Sequence, residues 1–462
     1  MKTEELFSKI YTTAQKCGYE IYVVGGYVRD LLLGKHIKDI DFVVVGDAMV
    51  FADQLKHDLR LRRLVRYPRF GTFMASYYSY TLEFVNARSE SYSQDSRKPI
   101  TQKADLYSDL SRRDFTINTL AMSIDPKNFG QIIDRFGGKR DLENKLIRTP
   151  LAPEQTFSDD PLRMMRAIRF ASRLNFAIHE PVWEAIRETC QRLQIVAQER
   201  ITDEFNKILL SDNPSSGLRM LDESGLLAIF LPELQEMKGV EQRNKYHHKD
   251  VFYHTLEVVD NIARQSKDLK LRLAALFHDI GKPKTRRFDD KTGWSFHGHE
   301  IVGGKMVGTI LRRMRYPSET IAYVRKLTHL HLRPMVLVSS EVTDSAIRRL
   351  LFLAGDEIND LMTLCRADIT SKNPKRVKKY LSNYDNVMEK IAKVEERDRI
   401  RNFKPPVDGH EIMKMFGLQP GPQIGRIKKF LEEAIMNGEV NNDHDACVDF
   451  LNTNKLQLMA DL

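Results

Sequence analysis

The hydrophobic period of this chain changes partway along it, and that change dictates most of what it can fold into. Between residues 20 and about 90, short runs rich in β-branched and aromatic residues (IYVVGG, DFVVVG, TFMASYY, YTLEFVNA) surround one helical stretch, the pattern of a small mixed sheet. From about residue 155 onward apolar residues recur at threes and fours with few strand signals, so helix follows helix. The expected fold is α+β: a small mixed-sheet head over 1–150, then an all-helical neck over 151–245, a histidine-rich region over 246–372 and a helical tail over 373–462. The polar segment from Arg88 to Ser111 is expected to be a mobile loop over the head.

Composition narrows the setting. The 72 Lys and Arg exceed the 63 Asp and Glu, for a net charge of +9; the excess suits a polyanionic partner, although a solvated basic surface would show it too. Cys17, Cys190, Cys365 and Cys447 form no CxxC pair or disulfide-like framework, which fits a reducing compartment. The first sixteen residues read as an amphipathic helix instead of a signal peptide, and no run approaches the roughly 18 apolar residues of a membrane span. A cytoplasmic protein with no membrane association and no obligate protein partner is expected.

The segment VVGGYVRDLLLGKHIKDIDFVVVG reads as strand, turn, helix, turn, strand. Gly25 and Gly26 let backbone amides approach a ligand closely where the helix begins, which suits a triphosphate. Asp39 and Asp41 lie two apart on a strand, so both leave one face with Cα atoms roughly 6 to 7 Å apart. Such a pair can hold two divalent ions about 3.5 to 4 Å apart, the arrangement for in-line displacement at phosphorus, and oxygen ligands beside a nucleotide favour Mg²⁺. Glu83 in TLEFVNA is either a third ligand or a solvated strand residue. A lone GG or DxD is commonplace; GGxVRD followed by DxD is not.

In that combination the sequence resembles the class II nucleotidyltransferases, the family of bacterial and eukaryotic tRNA CCA-adding enzymes and bacterial poly(A) polymerases. The resemblance implies that Asp39 and Asp41 hold the catalytic Mg²⁺ and that Gly26 and Arg29 contact the incoming nucleotide. It continues in order: RRDFTINTLA at 112–121 resembles the second motif, where Arg113 and Asp114 would meet sugar and phosphates, and DRFGGKRDL at 134–142 resembles a glycine hinge. In SDDPLRMMRAIRF, Asp160 and Arg163 offer an acceptor beside a donor, which matches the edges of cytosine and adenine and mismatches guanine and uracil. The family's (E/D)DxxR motif has that role, here with Asp159 at its first position; an isolated DxxR would be an ordinary surface ion pair. Arg166, one turn further on, is placed to reach the triphosphate. PGPQIG at 420–425, feeding an amphipathic helix, resembles the tail of CCA-adding enzymes. The resemblance therefore implies addition of C, C and A to tRNA from CTP and ATP. A CC- or A-adding enzyme, a poly(A) polymerase, or an HD hydrolase with an RNA-binding head remain alternatives. Lys375, Arg376, Lys378 and Lys379 are candidate tRNA phosphate contacts or a solvated helix face.

His254, His278 with Asp279, and Asp368 follow the order H, HD, D of an HD-superfamily metal site. His299 and His329 are candidate ligands for a second divalent ion, with His297 and His331 as nearby substitutes. The resemblance implies either a phosphohydrolase site or a fold kept for tRNA binding.

Overall fold

The computed structural model describes residues 3–35, 37–93, 96–244, 247–291, 293–339, 343–371, 373–398 and 405–460. The chain divides into two compact units, residues 1–230 and 231–462.

The first unit is built on a seven-stranded sheet. In chain order its head elements are α1 (Thr3–Lys16), β1 (Glu20–Val24), α2 (Gly26–Leu32), β2 (Asp39–Val45), α3 (Ala48–Asp58), β3 (Leu64–Tyr67), β4 (Thr72–Tyr77) and β5 (Tyr80–Asn86). The hairpin β6 (Arg88–Ser93) and β7 (Ser96–Lys103), then α4 (Leu106–Ser111), β8 (Ala121–Ser123) and β9 (Ile132–Ile133) complete the head strands. Across the sheet the order is β3-β4-β5-β2-β1-β8-β9, with β2 and β5 parallel. Side chains alternate between faces along a strand. On one face Phe42, Phe84 and Phe73 stack across β2, β5 and β4 at centroid distances of 4.6 and 4.5 Å, with Phe7 of α1 and Phe51 of α3 against them. All five rings are buried, each contributing about 1.5 to 3 kcal/mol. Because Phe42 and Phe84 are committed to that core, Asp41 and Glu83 must emerge from the opposite face. A smaller cluster of Val24, Val43, Ala87, Leu110 and Ala121 covers that side.

The segment expected as a loop from Arg88 to Ser111 is instead the β6–β7 hairpin followed by α4. Its sequence is mostly polar, so periodicity offers no apolar stripe by which to find the strands.

Helices complete the unit: α5 (Gly138–Glu143), α6 (Pro153–Asp159), α7 (Leu162–Leu174), α8 (Glu180–Thr189), α9 (Gln198–Leu209) and α10 (Pro214–Glu223). Leu162, Met165 and Ile168, the residues the helical spacing assigns to the core, are buried on α7, which packs on α9 and α10.

Among the described residues, the second unit is helical apart from two small antiparallel strand pairs, Glu241–Asn244 with His247–Asp250 and Arg287–Asp289 with Gly293–Ser295. Helices Val251–Ala263, Leu269–Phe277, His299–Arg313, Ser318–Leu330 and Ile358–Ala367 carry the histidine region. The basic run at 373–379 opens the 25-residue helix Pro374–Asp398, where Lys375, Arg376, Lys378 and Lys379 are exposed. The PGPQIG segment starts helix Pro422–Asn437, and Gly409–Phe416 begins with a capping box of Asp408 and Glu411.

Candidate active site and metal centre

A cleft of about 1210 Å³ in the first unit gathers Gly25, Gly26, Arg29, Asp41, Glu83, Arg113, Asp114, Asp160, Arg163 and Arg166. Gly25 sits at φ 69°, and a Cβ there would lie 2.9 Å from Arg113 Nη1. A side chain would thus strain the turn and displace the cation. Asp41 stands directly across from Glu83 in the parallel β2–β5 pairing. Burial raises the Asp41 carboxyl above its ordinary range; Arg113 opposes the shift and Asp39 adds to it. Burial, then the charge of Asp41, likewise raises Glu83. Two carboxylates that disfavour ionisation side by side are a donor set that a divalent cation would relieve. Asp39 is exposed at the start of β2, on the same face as Asp41, and does not line the cleft.

The opposing wall is cationic: eleven Arg and Lys side chains line the cleft against seven Asp and Glu. These cations are braced from behind. Asp109, fully buried, holds both Arg112 (2.6 Å) and Arg113 (3.0 Å). Arg29 donates to both carboxylate oxygens of Asp30 and, at 2.7 Å, to Asn118 Oδ1. Asn118 Nδ2 in turn donates to Asp114 Oδ1 at 2.8 Å, and Arg166 grips Asp114 Oδ2 with two donors at 2.8 and 2.5 Å. Burial pushes the Asp114 carboxyl up, but Arg166 and Asn118 outweigh it and hold the group at about 2. The guanidinium carbons of Arg29, Arg166 and Arg169 lie 5.1, 5.5 and 4.1 Å from the Phe170 ring centroid. Such bracing fixes charge before a ligand arrives.

Asp160 and Arg163 share the cleft and are joined through the main chain, Arg163 N donating to the Asp160 carbonyl at 3.0 Å, but their side chains bond elsewhere. Asp160 accepts from Leu162 N at 3.1 Å and from Arg200 Nη2 at 2.9 Å. Arg163 is buried and donates to the Arg112 carbonyl at 2.7 Å. Asp109, Asn118, Phe170 and Arg200 are the residues that sequence reasoning missed. Asp109 had a signal, lying three and four before Arg112 and Arg113, which follow directly on the end of α4; Arg200 is forty residues from Asp160 and had none.

In the second unit four imidazoles and two carboxylates converge. His254 Nε2 lies 2.8 Å and His278 Nε2 3.4 Å from Asp368 Oδ1. Asp279 Oδ2 is 3.2 Å from His278 Nε2, while its Oδ1 is 3.3 Å from His299 Nε2 and 3.8 Å from His331 Nε2. Two triads have ligand atoms close enough to hold an ion: His254, His278 and Asp368, and Asp279, His299 and His331. Every ring is oriented through its other nitrogen. His254 Nδ1 bonds Thr370 Oγ1 at 2.9 Å, and the Nδ1 atoms of His278, His299 and His331 lie 2.6 to 2.8 Å from main-chain carbonyls. That leaves the Nε2 lone pairs facing inward, as metal ligation requires. His278 Nε2 is buried without a hydrogen-bond partner, so the donor set fits a cation. Burial, then the neighbouring His278, pushes His331 down to about 3.

The second triad corrects the expectation for His329. His329 is exposed near the end of helix Ser318–Leu330, whereas His331 is 2% exposed. Residues two apart on a helix point to opposite sides, so only one could face the centre. His297 is exposed as well.

Paired carboxylates opposite a braced cationic wall define a site for transferring a nucleotidyl group from a triphosphate. Comparison with known proteins agrees. Residues 21–148 match the family model "Poly A polymerase head domain", 175–238 match "Probable RNA and SrmB- binding site of polymerase A", and 251–372 match "HD domain". The chain is 34% identical over 351 residues to the A-adding tRNA nucleotidyltransferase of Deinococcus radiodurans, covering 74% of this chain and 78% of that one. It is 31% identical to the CC-adding tRNA nucleotidyltransferase of Thermus thermophilus over 92% of each chain. With the CCA-adding enzyme of a Geobacillus species the identity is 30%, over 96% of this chain and 95% of that one. Among solved structures, the Bacillus stearothermophilus CCA-adding enzyme in complex with CTP shares the fold, with a TM-score of 0.68, 23% identity and all of both chains covered. The chain belongs to the tRNA nucleotidyltransferase and poly(A) polymerase family.

Proposed function

We propose that this chain is a CCA-adding tRNA nucleotidyltransferase, completing the tRNA 3′ end from CTP and ATP without a nucleic-acid template and releasing pyrophosphate. The observation that carries the reading is the cleft itself, where Asp41 and Glu83 face a braced cationic wall with Asp160 and Arg163 at its side, in a chain that matches a CCA-adding relative over 96% of its length. Asp39 and Asp41, with Glu83 beside them, would hold Mg²⁺, which when bound neutralises phosphate charge and acidifies the attacking hydroxyl. Arg29, Arg113 and Arg166 hold the triphosphate in line, with Gly25 and Gly26 giving its oxygens close backbone approach. Asp160 accepts from the amino group of cytosine or adenine, and Arg163 donates to the adjacent ring nitrogen after releasing its bonds to the Arg112 and Thr156 carbonyls. The RNA 3′ oxygen then attacks the α-phosphorus, and the bond to the bridging oxygen of the leaving pyrophosphate breaks.

The second centre would hold two divalent ions, one on His254, His278 and Asp368, the other on Asp279, His299 and His331. When bound, they supply an activated water for phosphoester hydrolysis. The division of the chain at residues 150, 245 and 372 and a cytoplasmic location belong to this same proposal. In the described residues no helix is long and apolar enough to cross a membrane.

Incubating a tRNA that lacks its 3′ CCA with CTP and ATP, singly and together, and sequencing the products tests the assignment. One CCA and then arrest supports it. The Thermus and Deinococcus relatives favour a second reading, addition of CC or A alone; products ending in CC, or an A gained only by CC-ended tRNA, would establish that instead.

A further inference from the structure

Arginines stand at positions 60, 62, 63, 66 and 69, along and beside β3, the outer edge of the head sheet. Residues 62, 63 and 65–70 are all exposed, and they include three uncovered apolar side chains: Val65 at 52%, Tyr67 at 41% and Phe70 at 60%. Charge on an edge strand often serves only to keep sheets from pairing. Two further observations point to a ligand. Arg66 is paired with Asp53, but among the described residues Arg62, Arg63 and Arg69 have no carboxylate partner. The strip also runs into the catalytic cleft, since Arg69 and Phe70 line the same cavity as Asp41 and Glu83.

The turn that delivers Phe70 to the cleft is itself fixed. Gly71 adopts φ 60°, and a Cβ there would meet Asn86 Nδ2 at 2.7 Å. Arg88 Nη1 donates to the Phe70 carbonyl at 3.3 Å. The backbone under the ring is held while the ring stays open to solvent.

We infer that this edge is the path of the RNA strand being extended, with unpaired 3′-terminal bases on Tyr67 and Phe70 and their phosphates against Arg62, Arg63 and Arg69. Unpartnered cations interleaved with open aromatic faces are the surface that binds a single strand irrespective of sequence. A membrane or an acidic protein would have no use for aromatic faces that lead into a nucleotide cleft. The inference rests on the polymerase reading above, and it adds the route by which the primer reaches Asp41.

The test uses the full chain carrying Arg62→Ala and Arg63→Ala together, with tRNA lacking CCA as the probe. Equilibrium RNA binding is measured by anisotropy across salt concentrations, and the KM for tRNA and for CTP is measured separately. The expected result is tRNA binding weakened about tenfold or more, with the slope of log K against log salt reduced by roughly 1.4 to 1.8 for two lost phosphate contacts. The CTP KM should stay at the wild-type value. Phe70→Ala should weaken tRNA binding about fivefold or more and Phe70→Tyr should restore it, whereas Phe70→Leu, which keeps bulk without a π face, should not. Unchanged tRNA affinity and salt slope in the double variant overturns the inference, even with catalysis intact. Absence of any nucleotide incorporation by the wild type would instead overturn the polymerase reading, with the binding measurement still deciding the path of the RNA.

Discussion

The two centres of this chain use carboxylates in opposite electrostatic settings. In the head cleft, Asp41 and Glu83 are both raised by burial, while the arginines across from them are braced by Asp30, Asp109 and Asp114. In the histidine centre, burial also pushes Asp279 and Asp368 up. There the imidazoles, joined at Asp279 by Lys282, outweigh it and hold both well below the ordinary range. The head thus keeps fixed cations for a polyanion and leaves its own carboxylates in need of one. The second centre has its ligands arrayed around a point before any ion arrives. On the proposed function, the same residue types would serve a nucleotide in one place and cations in the other because of what stands behind them.

The comparison can be broken by separating the two centres. Asp41→Asn should reduce nucleotide incorporation about a thousandfold, since several kcal/mol of metal-borne charge stabilisation is lost, without altering metal content at the histidine centre. His278→Ala and His331→Ala should each lower bound transition metal, measured by elemental analysis after dialysis, and leave incorporation within about twofold of wild type, whereas His329→Ala should change neither. If His329→Ala lost metal and His331→Ala kept it, the placement of the second triad would be wrong. Asp160→Ala should reduce discrimination of CTP over UTP about ten- to hundredfold, the scale of one charge-assisted hydrogen bond; preserved selectivity would remove its base-reading role.

Two smaller effects sharpen the contrast. Asn118→Ala breaks the link between Arg29 and Asp114 and should cost about 1 to 3 kcal/mol of stability, read by denaturant unfolding. Asp41→Asn should slightly raise the metal-free Tm near pH 7. A carboxyl whose folded pKa is raised opposes folding once it ionises above its unfolded pKa, and the amide removes that opposition. The gain should disappear as pH falls below the unfolded value. A lowered Tm at pH 7 would show that Asp41 is supported by its neighbours.

Strand periodicity and the GG and DxD spacing were enough to place Gly25, Gly26 and Asp41 around one cleft, because local pattern decides which face a strand residue leaves by. Legibility ended where tertiary neighbours decide the outcome. Glu83 was readable only as one of two possibilities, since its pairing with Asp41 depends on the β2–β5 register. Asn118 gave no sign of joining Arg29 to Asp114, and Arg200 none of holding Asp160. The sequence put His329 ahead of His331, which was only a nearby substitute; the helix phase that reverses the choice is set by how Ser318–Leu330 packs. The β6–β7 hairpin was invisible because its sequence is mostly polar and gives no apolar alternation.

The central claim is that the Asp41 cleft extends tRNA while the histidine centre does separate work. Sequencing the 3′ ends produced from CCA-less tRNA with CTP and ATP, by the wild type, Asp41→Asn and His278→Ala side by side, tests it most directly. The expected result is a single CCA from the wild type and from His278→Ala, and none from Asp41→Asn. Extension that survives Asp41→Asn, or that is lost in His278→Ala, would contradict it.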